Sequence, residues 1–156
     1  IAYIDSDTHN SMNNSKVYHN DVLLNITGGS IGRCCVVSSA IEMNVSQHVN
    51  IIRTKKHLLN FYLNYILSSD VGQLQVRYNI SGSNREGLTI KGISDFKISL
   101  PPIQEQRQIV EYLDEQNRLI DNLMEQSKKQ IDRLKEYRSA LISAAVTGKI
   151  DVRGVA

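Results

Sequence analysis

The stretch that decides the fold runs from residue 100 to residue 147 and reads LPPIQEQRQIVEYLDEQNRLIDNLMEQSKKQIDRLKEYRSALISAAVT. It contains no glycine or proline between Pro102 and Gly148. Pro101 and Pro102 end the preceding segment, and Pro102 suits a helix start, where its missing N–H needs no partner. Glycine is the usual residue just beyond a helix end. These signals predict a helix from about residue 103 to residue 144, roughly 63 Å long at 1.5 Å per residue.

Apolar residues recur in this segment at the alternating three- and four-residue spacing of a coiled coil. Nine of the thirteen heptad positions between residues 103 and 145 are apolar, and Ile109, Leu123 and Tyr137 form a second row beside them. A stripe of this width suits more than one contact. The positions expected to pair with a second helix are Val110, Leu113, Asn117, Ile120, Met124, Ile131, Leu134 and Leu141.

Two features of the predicted helix indicate what it binds. Seven basic and eight acidic residues lie between positions 103 and 144, so the segment is a poor candidate for binding phosphate. A helix of this length also exceeds what a domain of about 100 residues can cover, so it must find another partner, which we expect to be a protein. Asn117 and Ser127 are polar positions within the seam, and they have two interpretations: control of helix register and orientation, or a locally hydrated seam.

The first 100 residues have a different pattern, in which short β-type segments alternate with helical ones. Asp7 and Thr8 offer a helix cap before a short polar turn. The order of the elements argues for an α/β or α+β domain. Strands are expected at about 22–27, 34–37, 48–53, 89–90 and 96–100, helices at 57–69 and 71–78, and a loop at 79–87.

Composition narrows the class of protein. The chain has 156 residues, a net charge of +2, 41% hydrophobic residues and 22% charged residues, which is typical of a globular protein. No apolar run approaches the roughly 20 residues of a membrane span, and no signal peptide is visible. The only cysteines, Cys34 and Cys35, are adjacent and cannot by themselves complete a zinc site. We therefore predict a reduced, cytoplasmic protein.

Four motifs together resemble type I restriction–modification specificity subunits. The sequence LPPIQEQ at 100–106 leads into the long helix, EYRSALI at 136–142 closes it, and AVTGKIDV follows at 145–152. The earlier DVLLNITGGSIGR at 21–33 is similar to part of the target-recognition domain of that family. The four motifs occur in the order of the family and are spread over most of the chain, from residue 21 to residue 152.

The resemblance implies both a fold and a function. Subunits of this family carry two target-recognition domains, each followed by a long conserved helix. The two helices pair antiparallel as a spacer, and each domain reads one half of a split DNA site. The subunit has no catalytic activity or cofactor of its own, and it holds methyltransferase subunits and the restriction or translocase subunits. We expect double-stranded DNA and these subunits as partners of this chain.

This chain departs from the family pattern because it has one recognition domain and one helix. It does not begin with Met, and the front of the domain is expected to be missing. The predicted organisation is a partial recognition domain at 1–100, the long helix at 101–146 and a tail at 147–156. A homodimer through the helix would restore two domains and predicts a palindromic split site. The alternative is a degenerate coiled-coil interaction module that no longer reads DNA.

Candidate DNA contacts fall in three places. The densest basic cluster, Arg53, Lys55 and Lys56, suits phosphate contacts, and the alternative is a solvated helix start. Ser30 and Arg33 accompany the glycine-rich turn at 28–32, which is either a tight hairpin turn or a backbone that approaches a DNA phosphate. That turn lacks both the P-loop and the dinucleotide-binding patterns, which argues against nucleotide binding.

The third place is the polar loop at 79–87, where Asn84 matches adenine and Arg85 matches guanine in the major groove. Contact with the methyltransferase and a plain linker remain alternatives for this loop. The four histidines have no metal-ligand spacing, so no metal site is expected.

Overall fold

The computed structural model describes residues 3–38, 42–81 and 87–154. The chain separates into two compact units, Ile1–Glu111 and Tyr112–Ala156. The described part contains small antiparallel sheets, several short helices and one long helix. The predicted class, an α+β domain followed by a long helix, is confirmed.

The chain begins with a short helix, α1 (Ser6–Ser11). Its cap is Asp5, whose carboxylate accepts hydrogen bonds from the backbone N–H of Thr8 at 2.8 Å and from its hydroxyl at 2.9 Å. The prediction that Asp7 and Thr8 form the cap was wrong, because both lie within the first turn. A 3-10 turn then leads to strand β1 (Lys16–Val17).

A three-stranded antiparallel sheet forms the centre of the first unit. Strand β2 (Val22–Asn25) lies between β3 (Cys34–Val36) and β5 (Val49–Ile52), and β4 (Met43–Asn44) pairs with β1. The strands predicted at 22–27, 34–37 and 48–53 are confirmed, each one or two residues shorter than expected. Val22 and Leu24 project from β2 into the core and are fully buried.

Two consecutive helices pack against this sheet, α2 (Asn60–Ser68) and α3 (Asp70–Asn79), and both were predicted. The turn between them depends on Gly72, since a Cβ there would lie 2.1 Å from the backbone oxygen of Ile66. Two clusters of buried apolar side chains hold the helices and sheet together. One contains Val22, Leu63 and Leu67, and the other contains Leu24, Val76 and Leu88.

Three predictions between residues 79 and 100 were wrong. The segment 79–87 is not all loop, because Asn79 ends α3 and strand β6 (Ile80–Ser81) pairs with β7 (Gly87–Leu88). No strand forms at 89–90, because the hydroxyl of Thr89 accepts a hydrogen bond from Gly92 and caps helix α4 (Ile90–Ser94).

The strand predicted at 96–100 is also absent from the described structure. The side chain of Gln75 forms hydrogen bonds with the backbone N–H and carbonyl of Lys97, which a neighbouring strand would otherwise bond. Its Oε1 accepts from the N–H of Lys97 at 2.6 Å, and its Nε2 donates to the carbonyl of Lys97 at 3.0 Å. A side chain from α3 therefore replaces a neighbouring strand.

The long helix α5 (Ile103–Val146) has 44 residues and confirms the predicted span, with two more residues at its end. Its length is about 66 Å at 1.5 Å per residue. Among the residues that the structure describes, no helix is both long and apolar enough to cross a membrane.

Candidate nucleic-acid interface

Arg53, the first residue of the predicted basic cluster, is bound within the fold. Its guanidinium donates to the carboxylate of Asp21 at 2.9 and 3.1 Å and to the carbonyl of Lys16 at 2.8 Å. It also lies over the ring of Tyr18, 4.8 Å from the centroid. The Asp21 side chain is only 5% exposed, so its charge requires this partner. Any phosphate contact by Arg53 must compete with these bonds.

Lys55 and Lys56 are placed differently. Both are exposed, and they follow β5 in the turn before α2, where the carbonyl of Lys55 accepts from the N–H of Leu58 at 3.0 Å. Within the described residues neither ammonium group forms an ion pair. The two lysines are therefore the members of the cluster whose charge is available to phosphate.

The glycine-rich turn has a structural role that the sequence could not reveal. Gly32 has φ +87°, and a Cβ there would lie 2.8 Å from the side chain of Gln73, whose Nε2 donates to the carbonyl of Gly32 at 3.0 Å. Ser30 is half-buried, and its hydroxyl accepts a hydrogen bond from the side chain of Asn25. Arg33 is exposed. Of this group, Arg33 is the residue with a side chain directed to solvent.

The strand register separates the predicted contacts. Leu24 pairs with Cys34 on one side of β2, and Val22 pairs with Ile52 on the other. Arg33 therefore lies at the end of the sheet where β3 begins, whereas Lys55 follows the opposite end, where β5 finishes. The structure does not bring the two groups together.

The last predicted contacts, Asn84 and Arg85, lie outside the described residues. The structure describes the paired strands on either side of them, β6 and β7. Gly87 forms an isolated bridge with Thr27, and the N–H of Leu88 donates to the carbonyl of Ile26 at 2.8 Å. The base of this hairpin therefore lies at the same end of the sheet as the glycine-rich turn.

The long helix presents most of its predicted pairing positions to solvent. Ile120, Met124, Ile131, Leu134 and Leu141 are between 45% and 66% exposed. Val110 and Leu113 are half-buried, and Asn117 is exposed. Ion pairs such as Glu115 with Arg118 and Glu125 with Lys129 lie on the opposite face. The helix is thus amphipathic with an uncovered apolar side, which is the surface expected of a helix that pairs.

Gln106 falls on the heptad spacing, three residues after Ile103 and four before Val110, but its side chain does not belong to a helix-pairing surface. The side chain is fully buried in the first unit. Its Oε1 accepts from the N–H of Leu59 at 2.9 Å, and its Nε2 donates to the carbonyls of His57 and Pro101 at 2.9 and 2.8 Å. The motif LPPIQEQ marks this position in the sequence. The spacing of residues could not show that the side chain of Gln106 bonds the backbone of a distant segment.

The described residues contain no group of three or more His, Cys, Asp or Glu side chains close enough to hold a metal ion. Cys34 is half-buried beside Ser68, with 3.3 Å between Sγ and the hydroxyl oxygen. Burial raises the pKa of its thiol. Both cysteines are free thiols.

Most of this chain is similar to known proteins of one family. The model of the type I restriction modification DNA specificity domain matches residues 4–133. The specificity subunit of the type I restriction enzyme EcoBI of Escherichia coli is 28% identical over 137 residues, which are 87% of this chain and 29% of that protein. The putative type I restriction enzyme MjaX specificity subunit of Methanocaldococcus jannaschii is 29% identical over 99 residues, or 64% of this chain and 22% of that protein.

A solved structure gives the same fold. It is described as the structural basis underlying complex assembly and conformational transition of the type I R-M system, and one of its chains superposes with a TM-score of 0.72 at 24% identity. The match covers 84% of this chain and 31% of that chain. The chain spans less than a third of the length of the relatives that it matches. Since the family model covers more than half of its residues, the chain belongs to the type I restriction modification DNA specificity domain family.

Proposed function

We propose that this chain recognises double-stranded DNA for a type I restriction–modification complex and scaffolds its assembly. The observation that carries the proposal is the match of the DNA specificity domain model to residues 4–133, which include both the small α+β domain and most of the long helix. In this function the first unit binds one half of a split site. The chain itself performs no chemistry, and it directs methyltransferase and restriction subunits to DNA.

Two surfaces support this function by their chemistry. Lys55 and Lys56 supply positive charge and have no ion-pair partner among the described residues. Phosphate contacts of this kind hold a protein on DNA without reading its sequence. The uncovered apolar side of α5 supports pairing with a second helix. The pairing partner that we propose is the same helix of a second copy, which would place two recognition domains on one DNA.

The DNA-binding part is tested by measuring the affinity of the full chain for duplex DNA at several salt concentrations. Binding should weaken as salt rises, because the protein displaces counterions from the phosphates. The double variant Lys55→Ala, Lys56→Ala should lower the slope of log affinity against log salt by about 2, or about 1 per lysine. A chain that binds no duplex at low salt would contradict DNA recognition.

The scaffolding part is tested by light scattering of the chain alone and mixed with the methyltransferase subunit of the same system. A homodimer that takes up two methyltransferase subunits is the expected result. A chain that stays monomeric and ignores the methyltransferase would contradict the scaffolding function. DNA binding without assembly would support the recognition function and contradict the scaffolding function.

A further inference from the structure

The first unit contains an open cleft of about 550 Å³ beside the start of α5. One wall consists of the apolar residues 100–103, and the other consists of Lys56 and His57. Leu100, Lys56 and His57 are all exposed. The cleft therefore combines accessible apolar surface with a basic rim.

The two walls are joined by one buried side chain. The Nε2 of Gln106 donates to the carbonyl of His57 in one wall at 2.9 Å and to that of Pro101 in the other at 2.8 Å. The hydroxyl of Tyr62 also donates to the carbonyl of Ser99 at 3.2 Å, just before the apolar wall. The cleft is thus formed before any ligand arrives, which lowers the entropic cost of binding.

The charges that flank the seam of α5 indicate how two copies of this helix fit together. With Ile103 as position a of the heptads, the four exposed residues Asp114, Asp121, Lys128 and Lys135 occupy position e. Position g, on the other flank, has no charged residue between positions 109 and 144. Residues at e face position g of a parallel partner but position e of an antiparallel one, and these contacts set the orientation. An antiparallel pair therefore brings the charges of one helix to the charges of the other.

One antiparallel register matches each of these charges with its opposite. When Asp121 faces Lys128 of the second copy, Asp114 faces its Lys135, and two-fold symmetry forms each pair twice. A shift by one heptad in either direction places Asp121 against Asp121 or Lys128 against Lys128. The matched register also brings Ile120 to Ile131 in the seam.

This register brings the end of one helix to the start of the other. Ile103 lies 17 residues before Ile120, and Gly148 lies 17 residues after Ile131. Gly148 of the second copy is therefore level with Ile103, which lines the cleft. The residues that follow α5 in the second copy thus begin beside the cleft of the first.

The tail that follows α5 carries side chains that match the cleft. Ile150 is exposed and so offers apolar surface to a partner. Its N–H and that of Lys149 donate to the carbonyl of Ala144 at 3.3 and 2.9 Å, which fixes the tail to the end of the helix. Asp151 pairs with the exposed Arg153 of the same tail, and its carboxylate carries the charge opposite to that of Lys56.

We propose that the cleft of each copy receives the tail of the other, with Ile150 against the apolar wall and Asp151 beside Lys56. The inference rests on the proposed function, because it assumes that α5 pairs with a second copy. Burial of Ile150 supplies most of the affinity, since an exposed ion pair contributes little. The opposite charges of Asp151 and Lys56 favour this segment as the occupant.

The test is cross-linking between two variants of the full chain, both made in the background Cys34→Ser, Cys35→Ser. One carries Leu100→Cys in the cleft, and the other carries Ile150→Cys in the tail. After mixing and subunit exchange, a short bismaleimide should link them about 100-fold faster than it links either variant alone, because thiols that meet within a dimer have a millimolar effective concentration. In the antiparallel pair, two copies of the same variant hold their thiols at opposite ends of the helices.

The matched control is Ile90→Cys, mixed with Ile150→Cys in the same background. Ile90 is exposed in the first unit but does not line the cleft, so this mixture should link as slowly as the single variants. Circular dichroism and light scattering of each variant should match those of the wild type, which separates a loss of folding or pairing from a loss of docking.

Each outcome decides a different point. Linking of Leu100→Cys to Ile150→Cys, without linking of the control, supports the docked tail. A homodimer that does not link this pair overturns the docking and leaves pairing through α5 intact. Rapid linking of Leu100→Cys to itself would show a parallel pair and overturn the docking as well. In either case, protection of the Leu100→Cys thiol by the methyltransferase subunit or by duplex DNA would assign the cleft to that partner.

A wild-type chain that is monomeric at every concentration overturns self-pairing and the docked tail with it. DNA recognition does not depend on this result, because duplex binding by the first unit is measured separately.

Discussion

The side chain of Gln106 accepts a hydrogen bond from the backbone N–H of Leu59 at 2.9 Å, across 47 residues of sequence. Its amide nitrogen donates to the carbonyls of His57 and Pro101. One buried side chain thereby satisfies three backbone groups that border the start of α2 and the start of α5. The beginning of the long helix is therefore part of the first unit.

Replacing Gln106 by leucine should destabilise the first unit markedly. The leucine fills a similar volume but leaves the N–H of Leu59 and two carbonyls without their partner. Unsatisfied buried groups of this kind cost about 1–3 kcal/mol each, so we expect a loss of about 3 kcal/mol in the free energy of unfolding after some water enters. Urea denaturation followed by tyrosine fluorescence, to which the buried Tyr62 contributes, measures this loss.

The matched control is Gln108→Leu, two residues further along the same helix. The side chain of Gln108 is exposed and makes no hydrogen bond within the described chain, so this change should alter the free energy of unfolding by less than about 0.5 kcal/mol. Equal effects of the two substitutions would show that the bonds of Gln106 contribute nothing specific.

The positions that sequence analysis misread share a physical cause. Periodicity along the chain predicted α2, α3, α5 and the main strands, because it records which side of an element is buried. It could not show that Gln106 bonds Leu59, or that Arg53 bonds Asp21, since these partners are 47 and 32 residues apart.

Arg53 should prove important for stability. Arg53→Ala leaves the buried carboxylate of Asp21 with the N–H of Tyr18 but without a cation. Loss of one partner from a buried ion pair costs about 3–5 kcal/mol, and the half-exposed arginine reduces our expectation to about 2 kcal/mol.

This prediction is tested by comparing the thermal unfolding of Arg53→Ala with that of Lys55→Ala. The lysine variant should unfold like the wild type, because its ammonium group has no ion-pair partner in the described structure. A weaker DNA affinity of Arg53→Ala can be assigned to a phosphate contact only if its stability is unchanged. Equal stability of the two variants would refute a structural role for the Arg53–Asp21 pair.

The two cysteines should react at different rates with a thiol reagent. Burial raises the pKa of the Cys34 thiol, so less of it is thiolate at pH 8, and its sulfur is also half-covered. Cys35 is exposed. Reaction with an aromatic disulfide should be slower for Cys34 than for Cys35. The two rates are to be measured separately, in the single-cysteine variants Cys35→Ser and Cys34→Ser. The rate for Cys34 should keep rising as pH increases above 8, and a faster Cys34 at pH 8 would contradict the prediction.

The apolar side of α5 should control self-association if a second copy is its partner. Met124→Asp combined with Ile131→Asp places two carboxylates where the seam would exclude water. Because burying an unpaired charge costs several kcal/mol, we expect the dissociation constant of the homodimer to rise by more than about 100-fold. Light scattering over a range of protein concentrations measures this change.

The control for this experiment carries the same added charge on the opposite side of the helix. Asn122→Asp with Ala140→Asp changes two exposed positions away from the apolar stripe, so it should leave the homodimer unchanged. Circular dichroism should show similar helix content in both variants, because each pair of replacements lowers the summed intrinsic helix propensity by less than about 1 kcal/mol. If both variants dissociate equally, net charge and not the stripe governs association. If the wild type is monomeric at every concentration, the partner of α5 is not a second copy of this chain.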